Sequence, residues 1–180
     1  MTTLDHQADT PVEHLSSAVH AERHIEEDQI QIVTFEVGHE EFAIDILAVQ
    51  EIIRMTQVTR VPQSPASVEG VVNFRGQITP VVDLRKRFDF EAQDRGKDAR
   101  IVIVEVQGRI VGFIVDRVHE VLRIDNSILD PAPTLASSVN ADYVNGVGKL
   151  NDRLVILLSL ERLFGQGAWG ELDQAVQQAA

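Results

Sequence analysis

The sequence predicts a mostly β protein built as two small five-stranded β-barrels packed side by side, with short helices. Three observations carry that expectation: apolar residues alternate with polar ones over most of the chain, turn residues separate the alternating runs, and the second half repeats the first. With 180 residues, 44% hydrophobic and 24% charged, the chain has the balance of a soluble globular protein and enough length for one sizeable core or two small ones.

Residues 1–28 stand apart. Arg23 alone opposes Asp5, Asp9, Glu13, Glu22, Glu26, Glu27 and Asp28, so this stretch carries −6 of the chain's −12. Its few apolar residues can line a short helix from Leu15 to Ile25 but cannot build a core, and 1–28 reads as an acidic, mobile N-terminal arm. His20 and His24 lie four apart, the spacing that puts two metal ligands on one helical face, yet no third ligand accompanies them. No metal site is expected.

From Gln29 the pattern becomes that of strands. Val33, Phe35 and Val37 alternate with polar neighbours, Gly38-His39-Glu40 supplies a turn, and Phe42, Ile44 and Ile46 alternate on the way back: a hairpin. The spacing of Val49, Ile52 and Ile53 predicts a helical turn over Leu47–Ile53. After Pro62 and Pro65 a second hairpin runs from Val71 through the turn Arg75-Gly76-Gln77 to Leu84, and Pro80, which has no N–H to donate, predicts an edge or a bulge in that strand.

The same order recurs. Ile32, Val33, Glu36, Val37, Val49, Glu51 and Arg54 return 69 positions later as Ile101, Val102, Glu105, Val106, Val118, Glu120 and Arg123. Val68-Glu69-Gly70-Val71 returns 76 positions later as Val144-Asn145-Gly146-Val147, and the extra seven residues fit in the loop around Pro131 and Pro133. Alternation alone does not align turn residues and charges, so this is an internal duplication. Five short strands per half close into a small barrel to remove exposed edges, and the seam between the two barrels should be apolar and favoured for binding. The expected boundaries are 1–28 for the arm, 29–166 for the folded domain, with halves of about 30–90 and 99–166 and strands free to exchange between them, and 167–180 for a tail with helical character.

Composition excludes several function classes. A net charge of −12 opposes binding to nucleic acid or to an anionic leaflet. The absence of cysteine removes disulfides, zinc–thiolate sites and thiol nucleophiles, in keeping with a reducing cytoplasm. The longest apolar run, Ile110–Val115, falls far below the roughly 20 residues that span a bilayer, so no membrane insertion is expected. There is no Gly-x-Ser-x-Gly, Gly-x-x-x-x-Gly-Lys or His-Glu-x-x-His motif, and His39 and His119 have no evident ligand partners, so neither an enzyme nor a cofactor is expected. The basic residues Arg85, Lys86, Arg87, Arg95, Lys97 and Arg100 form one cluster with few aromatics, read as a solvated face.

The run Glu40–Ile52, followed by Gly70-Val71-Val72-Asn73-Phe74-Arg75-Gly76-Gln77-Ile78-Thr79-Pro80-Val81-Val82-Asp83-Leu84, closely resembles the CheW family of chemotaxis coupling proteins. The likeness extends from about Gln29 to Gly165, including Gly108–Gly112, Val115-Asp116 and Arg153–Leu163, with Phe74 where the family's turn usually has leucine. It implies a CheW-like fold of two SH3-like barrels and a non-enzymatic adaptor in the cytoplasm, recruited to membrane-associated chemoreceptor arrays. The implied partners are the cytoplasmic tip of a chemoreceptor, the regulatory domain of the histidine kinase CheA, and other CheW-like proteins in array rings. By the same resemblance Glu51 and Arg75 belong to the coupling surface, Val49, Ile52, Val118 and Val121 line an apolar groove, and Gly70 belongs to the same site. On pattern alone those valines read equally as core, Arg75 as a solvated turn residue, and Gly70 as a glycine needed for its backbone. The alternatives are a module of another chemosensory system or a CheV-like coupling protein; the latter needs a receiver domain, for which the roughly 15 residues after Gly165 leave no room.

Overall fold

The computed structural model describes residues 28–131 and 139–179, so the expectations for the arm, for the His20/His24 pair and for most of the Pro131/Pro133 loop lie outside the described residues. Eleven strands run in the order β1 (Gln29–Val37), β2 (Glu40–Asp45), β3 (Val49–Arg54), β4 (Val68–Phe74), β5 (Gln77–Asp83), β6 (Arg100–Val106), β7 (Arg109–Val115), β8 (Arg117–Asp125), β9 (Leu129–Asp130), β10 (Val144–Leu150) and β11 (Arg153–Leu158). Three α-helices accompany them among the described residues: α1 (Leu84–Arg87), α2 (Leu160–Leu163) and α3 (Gln166–Ala179).

The strands form two sheets, β8-β1-β2-β11-β10-β9 and β3-β6-β7-β5-β4. In each sheet the first hairpin of one half lies between strands of the other half. The registers obey the duplication: Ile32 faces Leu122 and Ile101 faces Ile53, pairs related by the same offset. The mostly β architecture of two small sheets with short helices is as expected, although neither ladder closes through strand pairing alone. The five-stranded sheet instead curls until residues beyond β3 meet β4, where Thr59 and Val71 exchange two backbone hydrogen bonds of 2.9 Å.

Period-two alternation sends each strand's side chains to opposite faces, and both faces are buried. Val102 and Val104 of β6 join Val33, Phe35 and Phe42 in a core shared by the two sheets, where the Phe35 and Phe113 rings lie 5.6 Å apart. Ile101 and Ile103, on the other face of β6, pack with Val72, Phe74 and Val81. The six-stranded sheet has its own outer cluster of Ile32, Ala43, Ile124, Val155 and Leu157. Three apolar clusters result, one of them shared by the two sheets where an apolar seam was expected.

The helical turn over Leu47–Ile53 is corrected. A 3-10 turn at Ile46–Ala48, capped by the Asp45 carboxylate on the Leu47 N–H, leads directly into β3. The register against β6 slips between Val49 and Glu51, a bulge at Gln50 that puts Val49 and Ile52 on one face three residues apart. That spacing imitates a helix. Pro80 is also reassigned, since β5 is an internal strand. Its antiparallel partner Val71 gives both backbone groups to Thr59, and the parallel ladder to β7 begins only at Val81, so no bond awaits the missing N–H.

At the C-terminal end, α3 buries Trp169, Leu172 and Ala175 against the core and packs on β4 and β5. Arg109 stacks 5.0 Å from the Trp169 ring and pairs with Asp173 at 2.7 Å.

Candidate coupling surface

The hairpin β4–β5 turns through two residues, Arg75 and Gly76, with φ of +49° and +81°. Positive φ at both positions is the primed turn that suits strand twist, and the Asn73 carboxamide oxygen accepts the Gly76 N–H at 3.0 Å. A non-glycine residue in this conformation costs about 1–2 kcal/mol, so Arg75 sits here against a local penalty. The turn aims Arg75 across the gap between the edges of the curled sheet, where its Nη2 donates to Glu51 Oε2 at 3.3 Å from β3. The side chains are 60% and 35% exposed, so the pair is open to solvent and to a partner. Such a pair contributes at most about 1 kcal/mol to folding.

Gly70 lies four residues before the end of β4, at a bulge, with φ of +152°. A Cβ there would stand 2.1 Å from the Thr59 carbonyl oxygen, so glycine is required by the close approach that curls the sheet.

The apolar residues fall elsewhere. Val49, Ile52 and Val118 are only 5%, 3% and 7% exposed and belong to the shared core, while Val121 is half-buried against it. The expected groove lined by all four is corrected: the bulges at Gln50 and His119 turn Val49 and Val118 inward. The large apolar side chains left exposed include Leu47 at 68%, Leu154 at 53%, Ile78 and Ile128. A groove of about 500 Å³ is lined from both sheets mainly by polar side chains, among them Asp45, Glu105, Asn145, Ser159 and Arg162. A leucine within an alternating run carries no sign of its exposure, which follows from the 3-10 turn.

The second half repeats the pair. Glu120, the equivalent of Glu51, accepts from Arg153 at 2.8 Å across the other sheet, and Glu41 lies 3.5 Å from the same guanidinium. The Glu120 hydrogen bond and the Glu41 charge raise the Arg153 pKa further. This pair was missed because its arginine stands two positions beyond the equivalent of Arg75, but the recurrence of Glu51 as Glu120 signals it.

Half of the basic cluster is ion-paired, namely Arg85, Lys86 and Arg95. Arg85 grips Asp116 through two bonds of 2.8 and 2.6 Å, and Asp116 also accepts the Gly38 N–H at 2.7 Å. Lys86 and Arg95 both hold Glu69 at 2.9 Å, and Arg95 reaches Asp83 at 3.0 Å. Burial pushes the Glu69 carboxyl up, but the hydrogen bonds from Lys86 and Arg95 outweigh it, and the pKa lies below the ordinary 4.5. The expected solvated face is thus in part a set of ion pairs that ties the loop around Arg95 to β4 and β5. His119 faces Glu36 at 3.3 Å, and no group of three or more metal-ligating side chains occurs among the described residues. No helix among them is long and apolar enough to cross a membrane.

Residues 31–167 match the family model of the CheW-like domain. Chemotaxis protein CheW of Helicobacter pylori is 41% identical over 138 residues, covering 76% of this chain and 82% of that protein. Its counterpart in Klebsiella aerogenes is 34% identical over 147 residues, covering 82% and 89%. The crystal structure of the scaffolding protein TtCheW from Thermoanaerobacter tengcongensis superimposes with a TM-score of 0.73 at 36% identity, over 82% of this chain and 96% of that one. Chemotaxis protein CheV3 of Helicobacter pylori is 29% identical over 146 residues but is matched over only 47% of its length.

Proposed function

This chain belongs to the CheW family and is a non-enzymatic coupling adaptor of chemotaxis signalling, and from that premise we propose that it links the cytoplasmic tip of a chemoreceptor to the regulatory domain of a CheA-type histidine kinase at receptor arrays. The observation that carries the reading is the exposed Glu51–Arg75 pair, held at 3.3 Å on a strained turn. An exposed arginine whose pairing adds little to folding fits a surface that meets a partner. In this reading Val121, half-buried on the other sheet, is a separate contact, Val49, Ile52 and Val118 act through the shared core, and Gly70 keeps the five-stranded sheet curled so that its edges approach. Residues 29–166 form the working domain in this reading, with other CheW-like proteins as further partners within array rings.

The test is co-sedimentation of the full chain with receptor cytoplasmic fragments and the kinase. Arg75→Glu places two carboxylates together on the surface; it should abolish most ternary assembly while shifting the melting temperature by no more than about 4 °C, the equivalent of 1 kcal/mol. Intact assembly by the variant would refute the role of this pair.

A further inference from the structure

We propose that Phe74 is a positioning residue that holds Arg75 in its coupling geometry before any partner arrives; the inference rests on the reading of Glu51 and Arg75 as a contact surface. The Arg75 guanidinium carbon sits 4.8 Å from the centroid of the Phe74 ring, within the range of cation–π attraction. Phe74 is itself only 8% exposed, wedged among Val72, Val81, Ile101, Ile103 and Ile114, so the ring is a fixed platform.

Two restraints thus converge on one exposed arginine. The ring limits where the guanidinium lies, and the Glu51 carboxylate at 3.3 Å limits where it points. An arginine on a free surface loses its rotamer freedom when it is captured, whereas one already held loses less, and that difference appears as affinity. The duplicated half supplies a contrast within the same molecule. There the positions equivalent to Phe74 and Arg75 are Leu150 and Asn151, and the cation of that half, Arg153, comes from the strand and is held by Glu120 and Glu41 with no ring among its recorded partners. The aromatic platform and the turn arginine occur together, in the half whose arginine is the more exposed.

The experiment uses the full chain, with binding to the kinase regulatory domain measured by calorimetry and the Arg75 side-chain protons followed by NMR in the free protein. Phe74→Met keeps the buried volume without the ring, Phe74→Leu is the smaller aliphatic, and Phe74→Tyr keeps the ring. The methionine and leucine variants should bind about two- to fivefold more weakly, matching the loss of an exposed cation–π contact. Their Arg75 resonances should lose the ring-current shift. The tyrosine variant should keep both the affinity and the shift. Wild-type affinity in Phe74→Met, an unchanged Arg75 shift in that variant, or equal weakening in Phe74→Tyr would each overturn the proposal. Wild-type assembly by Arg75→Glu would instead refute the coupling surface, while the NMR shifts would still decide whether the ring holds the arginine.

Discussion

Replacing Gly70 with alanine is expected to destabilise the fold strongly although the residue touches the proposed coupling surface only through the backbone. Its φ of +152° is a conformation that residues with a Cβ rarely adopt, a strain of about 1–3 kcal/mol. The added Cβ would lie 2.1 Å from the Thr59 carbonyl oxygen and 2.7 Å from the carbonyl carbon, both backbone atoms that cannot swing away. Relief requires the segment after β3 to retreat from β4, which breaks the two 2.9 Å hydrogen bonds between Thr59 and Val71, worth about 1 kcal/mol each. The total is about 3–5 kcal/mol, or a fall in melting temperature of about 6–20 °C for a chain of this size. The molecule contains its own control. Gly146 occupies the equivalent bulge in β10 without positive φ, and the nearest neighbours of its Cβ, Asp130 O and Leu129 Cβ, stand at 3.3 Å. Gly146→Ala should therefore change stability by less than about 1 kcal/mol, because a shift of a few tenths of an ångström in β9 accommodates it. Thermal unfolding of both variants, followed by circular dichroism, tests the argument. Equal losses in the two, or a loss below 1 kcal/mol at Gly70, would refute the claim that the close approach to Thr59 dictates glycine.

Two further outcomes concern the ion pairs and the C-terminal helix. Because the folded-state pKa of Glu69 is depressed, its contribution is fully present above 4.5 and is lost as pH falls through the lower folded value; Glu69→Gln should flatten the dependence of the urea midpoint on pH below 4.5, and an unchanged acid slope would show that Lys86 and Arg95 do not act through this carboxylate. Trp169→Ala removes the ring that packs 5.9 Å from Phe164 and beneath Arg109, so it should cost about 3–5 kcal/mol and open α3 to limited proteolysis; a protease-resistant C-terminal end with unchanged melting would sink that view of α3.

Much of the fold is legible locally. Alternation identifies β1, β2, β4 and β5 because a half-buried strand must present one kind of side chain every second residue. It fails at β3 for a physical reason: the bulge at Gln50 inserts one residue, so the buried positions Val49 and Ile52 acquire the spacing of a helix. Of the candidate site, Glu51 and Arg75 are legible through motif resemblance and the chemistry of a turn arginine. The burial of Val49, Ile52 and Val118 is not, because a valine on an inner face and one on a groove wall produce the same pattern along the chain. The pairing of Arg153 with Glu120 spans 33 residues and the register of a sheet, information that no window of sequence contains.

By itself, the sequence determined the duplication, the hairpins, the acidic segment at the start and the family to which the chain belongs. The first three follow from composition, period and turn chemistry, all properties of residues near one another in the chain, and the family from a resemblance of several separated motifs in order. Only the tertiary structure decided that each half lends its first hairpin to the other's sheet, how far each sheet curls, and that Arg85, Lys86 and Arg95 are paired with Glu69, Asp83 and Asp116. Those outcomes depend on which distant edges meet and which charges then share a low-dielectric boundary, and the energies that select them arise only once the two sheets have closed over one core.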